Sequence, residues 1–347
     1  MGTVVSCSSP PETASLRELA TELSEEGGYF DTDNLISNET AYVQAIDALE
    51  PLGGIYIGVG PEQNFHYIGR LRPAWAFIVD IRPDNQLHHF LLNGVLANAE
   101  TPYDYLCWLF ARRCDGAPGE DDFESLVAAV EAAPADADLF ERRLETILEH
   151  IENRLEMALN EESRGTIEFI YRSYFEGQLG LRFNSHGRRP QPHHPTYRSL
   201  LVAAGPSGRA SHFLARRDDY DFVRELAASG RLVPVVGDFA GEKALRGIGA
   251  FANEQDEAVT AFYTSNVEFY LIRNGVFPRY VENVRALPLS ADSQFIRAYF
   301  SYGYPHPQAL PGHRSTVVRQ KMGRFLELYD DDAFRDFWDV STMDALP

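Results

Sequence analysis

The stretch "GGIYIGVGPEQNFHYIGRLRPAWAFIVDIRPDN", residues 53–85, decides the fold. Its two apolar runs, "IYIGVG" and "AWAFIVDI", are short and rich in strand-forming residues, and each reads as a central strand buried on both faces. Between them "QNFHYIGRL" has the length of one helix, and Pro73 marks the turn into the second run. Two parallel strands need such a crossover, which is nearly always right-handed, so the stretch is a β-α-β unit.

Working outward, the strand pattern returns at "RLVPVVGDF" and "AVTAFYTSN", with helices expected at "GEKALRGIGAFANE" and "VEFYLIRNG". "YVENVRALPL" is expected as the next strand, "FIRAYFSY" as an edge candidate, and the tail from Ser315 as amphipathic helix. Strands alternating with helices predict an α/β fold, a Rossmann-like, open, mostly parallel twisted sheet. On the N-terminal side, "SLRELATEL" and Thr40–Leu49 have helical spacing, with Ser37 or Asn38 as the N-cap of the second helix. From 101 to 230 the pattern turns helical, with "DFESLVAAVEAA" and "DLFERRLETILEHIENRLEMALNEE" both amphipathic, so this region is expected as a large helical insertion carrying a basic, proline-rich loop. The expected organisation is a disordered tail over 1–13, the first half of the sheet domain over 14–100, the insertion over 101–230, and the second half with C-terminal helices over 231–347.

Composition bounds the function. The formal net charge is −20, which repels a phosphate backbone, so nucleic acid is not expected as a partner. No apolar run reaches the roughly 18 residues of a membrane span and no signal-peptide pattern opens the chain, so no membrane partner and a cytoplasmic location are expected. Three cysteines, Cys7, Cys107 and Cys114, are too few and odd for an oxidised scaffold, and Cys107 with Cys114 is expected as two small core residues on one side of a helix. His88 and His89 are adjacent and point to different sides of a helix, while His193 and His194 lie in a loop, so no metal site is expected.

In open α/β sheets ligands bind at the carboxyl ends of the strands. After the first strand, Gly58 and Gly60 lack the β-carbons that would keep a ligand off the turn. Asp80 ends the second strand 80 − 60 = 20 residues beyond Gly60, the spacing at which an acid accepts hydrogen bonds from ribose hydroxyls. Asp238, in "VVGDFAG", is placed to accept from an exocyclic amine such as that of adenine, with Phe239 along the base. The reading is a nucleoside-type ligand. The dinucleotide pattern G-x-G-x-x-G fails, because Gln63 takes its sixth position and Pro61 and Glu62 interrupt it.

These motifs resemble the first three of class I S-adenosylmethionine-dependent methyltransferases. More closely, "YIGVGPEQNFHYI", "AFIVDIR", "VVGDFAG" and "SNVEFYL" resemble an uncharacterised bacterial family described as methyltransferase-like, over most of residues 28 to 300. The resemblance implies S-adenosylmethionine as cofactor, with Gly58, Gly60, Glu62, Asn64, Asp80, Asp238, Phe239 and Ser265 around it and Ser265, Asn266 and Glu268 near the transferred methyl. It departs from the pattern in two places: the first strand begins "IYIG" without an acid at its head, and "TSNVE" stands where a D/N-P-P-Y motif is usual. Methyl transfer would need a base, for which Glu268 and Glu39 are the candidates, with Asn266 and Tyr263 orienting a small or anionic acceptor. Arg182, Arg188, Arg189 and Arg198 are the candidates for binding that acceptor. A non-catalytic nucleoside-binding or protein-interaction module, and an NAD-dependent oxidoreductase, are the alternatives, and the sequence leaves the oligomeric state open.

Overall fold

The computed structural model describes residues 14–116, 122–186, 191, 194–205, 207–301 and 304–346. The 1–13 segment with Cys7, and also Arg188, Arg189 and His193, lie outside the described residues.

Six strands form one sheet: β1 Ile55–Gly58, β2 Trp75–Asp80, β3 Leu232–Val236, β4 Val259–Ser265, β5 Gln294–Phe300 and β6 Ser315–Lys321. Their spatial order is β3-β2-β1-β4-β5-β6. The first five run parallel, and β6 is antiparallel to β5. The β-α-β unit of residues 53–85 is present, with the helix Asn64–Leu71 joining β1 to β2. Both faces of the sheet are covered, which is why β1, β2 and β3 are buried along their whole length. On one face, Trp75 and Phe77 of β2 meet Phe251 of the helix Ala244–Glu254 edge-on at 5.0 and 5.5 Å. On the other, the helix Pro83–Asn98 starts directly after β2, with proline in its first turn.

The insertion between β2 and β3 is helical, with helices Pro102–Leu109, Phe123–Ala132, Ala137–Asn153, Glu161–Gly177 and Tyr197–Leu201. Its expected end at 230 is too late. The helix Arg217–Ala228 packs on the sheet's own helices: Gly69 fits against Asp219, and Tyr220 donates to the Ala99 carbonyl at 2.9 Å.

Four expectations about elements are corrected. "YVENVRALPL" is not a strand: Phe277–Arg285 is a helix with Tyr280, Val281 and Val284 buried, and Asn283 donates to the Phe239 and Gly241 carbonyls at 2.8 and 2.7 Å. Its valines imitate a strand while their spacing is helical. The tail begins as strand β6, because Ser315–Lys321 pairs along its length with β5, and only then turns into the helix Met322–Asp330. The helix expected over 40–49 shrinks to a 3-10 turn, Thr40–Tyr42, and one short turn, Val43–Ile46, and neither Ser37 nor Asn38 caps it. Cys107 and Cys114 are joined in a disulfide with Cα atoms 6.1 Å apart. The helix that carries Cys107 ends at Leu109, and Ala111 at φ 46° reverses the chain, which brings Cys114 back.

Among the described residues, no helix is long and apolar enough to cross a membrane.

Candidate functional site

A cleft of about 510 Å³ opens at the carboxyl ends of β1 to β4, where the strand order reverses between β1 and β4. Its walls come from Val59–Pro61 after β1, Val79–Arg82 at β2, Gly237–Phe239 after β3 and Tyr263–Val267 at β4, and residues 29–39 contribute a further wall.

Gly60 forms the floor of the cleft at φ 80°, and a β-carbon there would stand 3.2 Å from Asn34 Nδ2. Gly58 belongs to a different constraint. A β-carbon on it would lie 1.9 Å from Asn64 Oδ1 and 2.7 Å from the Tyr56 ring. Asn64 does not face the cleft either. It is fully buried, accepts from Tyr56 at 2.8 Å, and donates to the carbonyls of Val59 (2.9 Å), Pro61 (2.7 Å) and Gly60 (3.3 Å). Gly58 and Asn64 therefore shape the turn from behind, which corrects their expected role as ligand contacts.

Asp80 and Asp238 both reach the cleft. Asp80 is not free: its Oδ1 accepts from the Arg82 backbone N–H at 2.9 Å and Nε at 3.1 Å, and its Oδ2 from Arg82 Nη2 at 2.8 Å. Three of roughly four acceptor positions on the carboxylate are occupied, which leaves one, on Oδ2. Arg82 also donates through Nη1 to the Thr32 and Asp33 carbonyls at 3.2 and 3.0 Å, so it ties the 29–39 segment to β2. Asp238 spends Oδ1 on the Ala240 N–H at 2.9 Å. Phe239 lines the cleft beside it and packs edge-on to Phe262 at 4.8 Å.

On the β4 side, Glu39 is 2% exposed and lines the cleft. Its Oε2 accepts from Gln63 Nε2 at 2.9 Å, and its Oε1 accepts from Ser265 Oγ. Gln63 Nε2 also reaches Tyr263 Oη at 3.0 Å. Burial without a cationic partner pushes the Glu39 carboxyl above the usual range, and burial likewise holds the Tyr263 phenol well above its own. Ser265 sits at φ 52°, an uncommon backbone for a non-glycine residue, just where the β4–β5 register shifts. Asn266 lines the cleft next to it.

Two expected acids lie elsewhere. Glu268 is fully buried outside the cleft, paired with Arg297 at 2.5 and 3.1 Å and accepting from Tyr280 at 3.1 Å. The Arg297 guanidinium in turn lies 4.1 Å from the Phe295 ring and donates to Gln320 at 2.7 Å. That network is structural, so Glu268 is no base for the cleft. Glu62 turns away into a separate small cavity with Tyr42, His66 and His212, where Tyr105 and Tyr197 donate to it at 2.5 and 2.7 Å. Burial raises its carboxyl to about 7. It bolts the glycine turn to the insertion and contacts no ligand in the cleft.

Of the four arginines expected to bind an acceptor, Arg182 is exposed and donates to the His194 carbonyl at 2.6 Å, and Arg198 pairs with Glu131 at 3.3 Å. Neither lines the cleft. Among the described residues the arginines that do are Arg82 and Arg314. Arg82 stands inside the quoted "DIRPDN", two residues beyond the acid it grips, but nothing in that stretch announces the grip, and Arg314 carries no local signal because β6 brings it across from the far end of the chain. The aromatic wall of Tyr29, Phe30 and Tyr270, with Phe30 edge-on to Tyr270 at 5.0 Å, was also not legible.

Among the described residues no three His, Cys, Asp or Glu side chains stand together as a metal site would need.

The chain matches the family described as Domain of unknown function (DUF7790) over residues 34–165 and 120–333, and it belongs to that family. No curated protein matches it.

Proposed function

We propose that this cleft binds S-adenosylmethionine and that the protein transfers its methyl group to a small acceptor. The observation that carries the reading is that one cleft gathers Gly60, Asp80, Asp238 and Phe239, with Glu39 across the switch point. The order β3-β2-β1-β4-β5 with an antiparallel strand beyond it agrees with a class I methyltransferase-like fold.

The residues fit the cofactor chemically. Gly60 leaves the floor bare, the free position on Asp80 Oδ2 suits one ribose hydroxyl, and the uncommitted oxygen of Asp238 suits an adenine amine beside Phe239. Among the described residues, the carboxylates of Glu39 and Asp238 line the cleft without a cationic partner, and Asp80 is paired with Arg82. Those two unpaired carboxylates suit a ligand with sulfonium and ammonium charges.

The bound cofactor supplies an electrophilic methyl carbon. The chain's own part is to hold an acceptor in line and to take its proton. Ser265 and Glu39 both line the cleft, and Ser265 Oγ donates to Glu39 Oε1. A proton leaving the acceptor passes to Ser265 Oγ as the Ser265 proton passes to Glu39. A buried carboxyl with raised proton affinity suits that role, since it accepts a proton more readily than an exposed one.

Calorimetric titration tests the reading. S-adenosylmethionine and S-adenosylhomocysteine are expected to bind, and Asp238→Asn, which keeps an oxygen for the Ala240 N–H, to weaken both about ten-fold at unchanged thermal stability. Absence of heat from either compound at millimolar concentration sinks it.

A further inference from the structure

The cleft is divided by the switch point. Asp80, Arg82 and Asp238 lie on the β2–β3 half, and Glu39, Ser265 and Asn266 lie on the β4 half. Arg314 joins the second half. It directly precedes β6, and its neighbours are pinned to the segment that carries Glu39: His313 Nδ1 bonds Thr40 Oγ1 at 2.9 Å, and Ser315 Oγ accepts from the Ala41 N–H at 3.4 Å. The Arg314 carbonyl accepts from the Ser301 N–H at 3.0 Å, which fixes its backbone on the other side. Yet its side chain is exposed at the cleft, with no hydrogen-bond or ion-pair partner among the described residues.

In a chain of net charge −20, Arg82 in the same cleft is gripped by a carboxylate, as are Arg297, Arg285, Arg324 and Arg335 elsewhere. An arginine held to one wall by its backbone but left without an anion has its fork of donors available to a ligand. Ser37, Asn38 and Asn266 add neutral donors and acceptors around the same half of the cleft.

We infer that Arg314 is the anion-recognition residue of an acceptor subsite, which takes a small molecule bearing a carboxylate or phosphate at Arg314 and a proton-bearing nucleophile, an amine or hydroxyl, at Ser265 and Glu39. This deepens the methyl-transfer reading and rests on it for the word acceptor, but the anion contact itself does not require a cofactor. It also moves the binding role from Arg182 and Arg198, which do not line the cleft, to a residue that does.

The test reads Arg314 directly. In the full chain labelled with ¹⁵N-arginine, the Nε signal that disappears in Arg314→Gln belongs to Arg314. Benzoate and inorganic phosphate are titrated as separate arms, with neutral benzamide as control. The Arg314 signal is expected to shift saturably with at least one anion and not with benzamide, and anion affinity in Arg314→Gln to fall about five-fold, the scale of an exposed charge pair. Arg182→Gln is expected to leave it unchanged. A response to benzoate alone assigns a carboxylate, and a response to phosphate alone a phosphate. No shift with either anion, equal shifts with benzamide, or unchanged anion affinity in Arg314→Gln overturns the inference. S-adenosylhomocysteine titrated into the same sample separates the two readings: its binding without an anion response sinks the subsite alone, and an anion response without its binding sinks the cofactor assignment alone.

Discussion

Glu62→Gln is expected to change the pH dependence of stability, because it replaces a buried carboxyl with a group that does not titrate. Glu62 is 5% exposed, with Tyr105 and Tyr197 donating to it, and burial raises its carboxyl from 4.5 to about 7. The groups packed around it are silent in that window. Burial holds His66 down at about 3 and His212 well below its ordinary value, and keeps Tyr42, Tyr105, Tyr174 and Tyr197 above theirs. A carboxyl whose folded pKa lies above its unfolded one favours folding while protonated. That contribution is complete below pH 4.5 and is lost as pH rises through about 7. The shift is 7 − 4.5 = 2.5, so the loss is about 3 kcal/mol at 1.36 kcal/mol per unit. Glutamine does not titrate and keeps the shape. Its imperfect match to two donating phenols costs about 1 kcal/mol at every pH, which cancels when the pH dependence is compared. Between pH 4.5 and 8 the variant should therefore gain about 3 kcal/mol relative to wild type, read as a relative rise of about 4 °C in Tm for a chain of 347 residues. Parallel thermal melts across that range measure it. A Tm difference that stays constant with pH, or moves against the variant as pH rises, refutes the account of Glu62 as a buried carboxyl that titrates near neutrality.

Two further outcomes follow from other buried groups. Arg297→Met should destabilise the fold by about 3 to 5 kcal/mol, because Glu268 is left fully buried and unpaired, and adding Glu268→Gln should recover part of that loss in denaturant titrations; equal stability of Arg297→Met and wild type would count against a structural ion pair. The purified protein, denatured without reductant, should show Cys107 and Cys114 protected from alkylation, and the pair Cys107→Ser, Cys114→Ser should lose about 2 kcal/mol through the closed eight-residue loop; free reaction of both thiols would remove the pairing.

The sheet was legible where sequence patterns are local. The runs "IYIG", "AFIVD" and "VPVV" are buried on both faces and carry no competing helical period, so β1, β2 and β3 could be read directly. β6 could not, because "STVVRQK" runs straight into "MGRFLELYD" with no turn residue between them, and only pairing with β5 separates strand from helix. In the site, Asp80 and Asp238 were found because strand ends announce themselves. Glu62, Glu268 and Asn64 stand in the same motifs and were assigned to the site, but Glu62 lies in the turn and Asn64 and Glu268 on the first turns of the helices that follow, where the helical rotation carries their side chains to buried partners and not to the cleft. The Arg82 grip on Asp80 and the seating of Arg314 beside the segment that carries Glu39 depend on side-chain reach and on a pairing across most of the chain, neither of which a linear reading contains.

The long helical insertion has a kinetic side. β1 and β2 are joined by a single short helix and meet through a small loop, whereas Asp80 meets Val236 only after the whole insertion has been threaded between them. Closing that circuit from an uncollapsed chain costs more entropy than closing the first, and a helical insertion that has already condensed shortens the effective tether. The same reasoning applies to β4, which meets β1 across the still longer separation from Ile55 to Val259, so the β1–β2 unit closes cheaply while β3 and β4, with Asp238 and Ser265 at their ends, depend on the insertion being condensed.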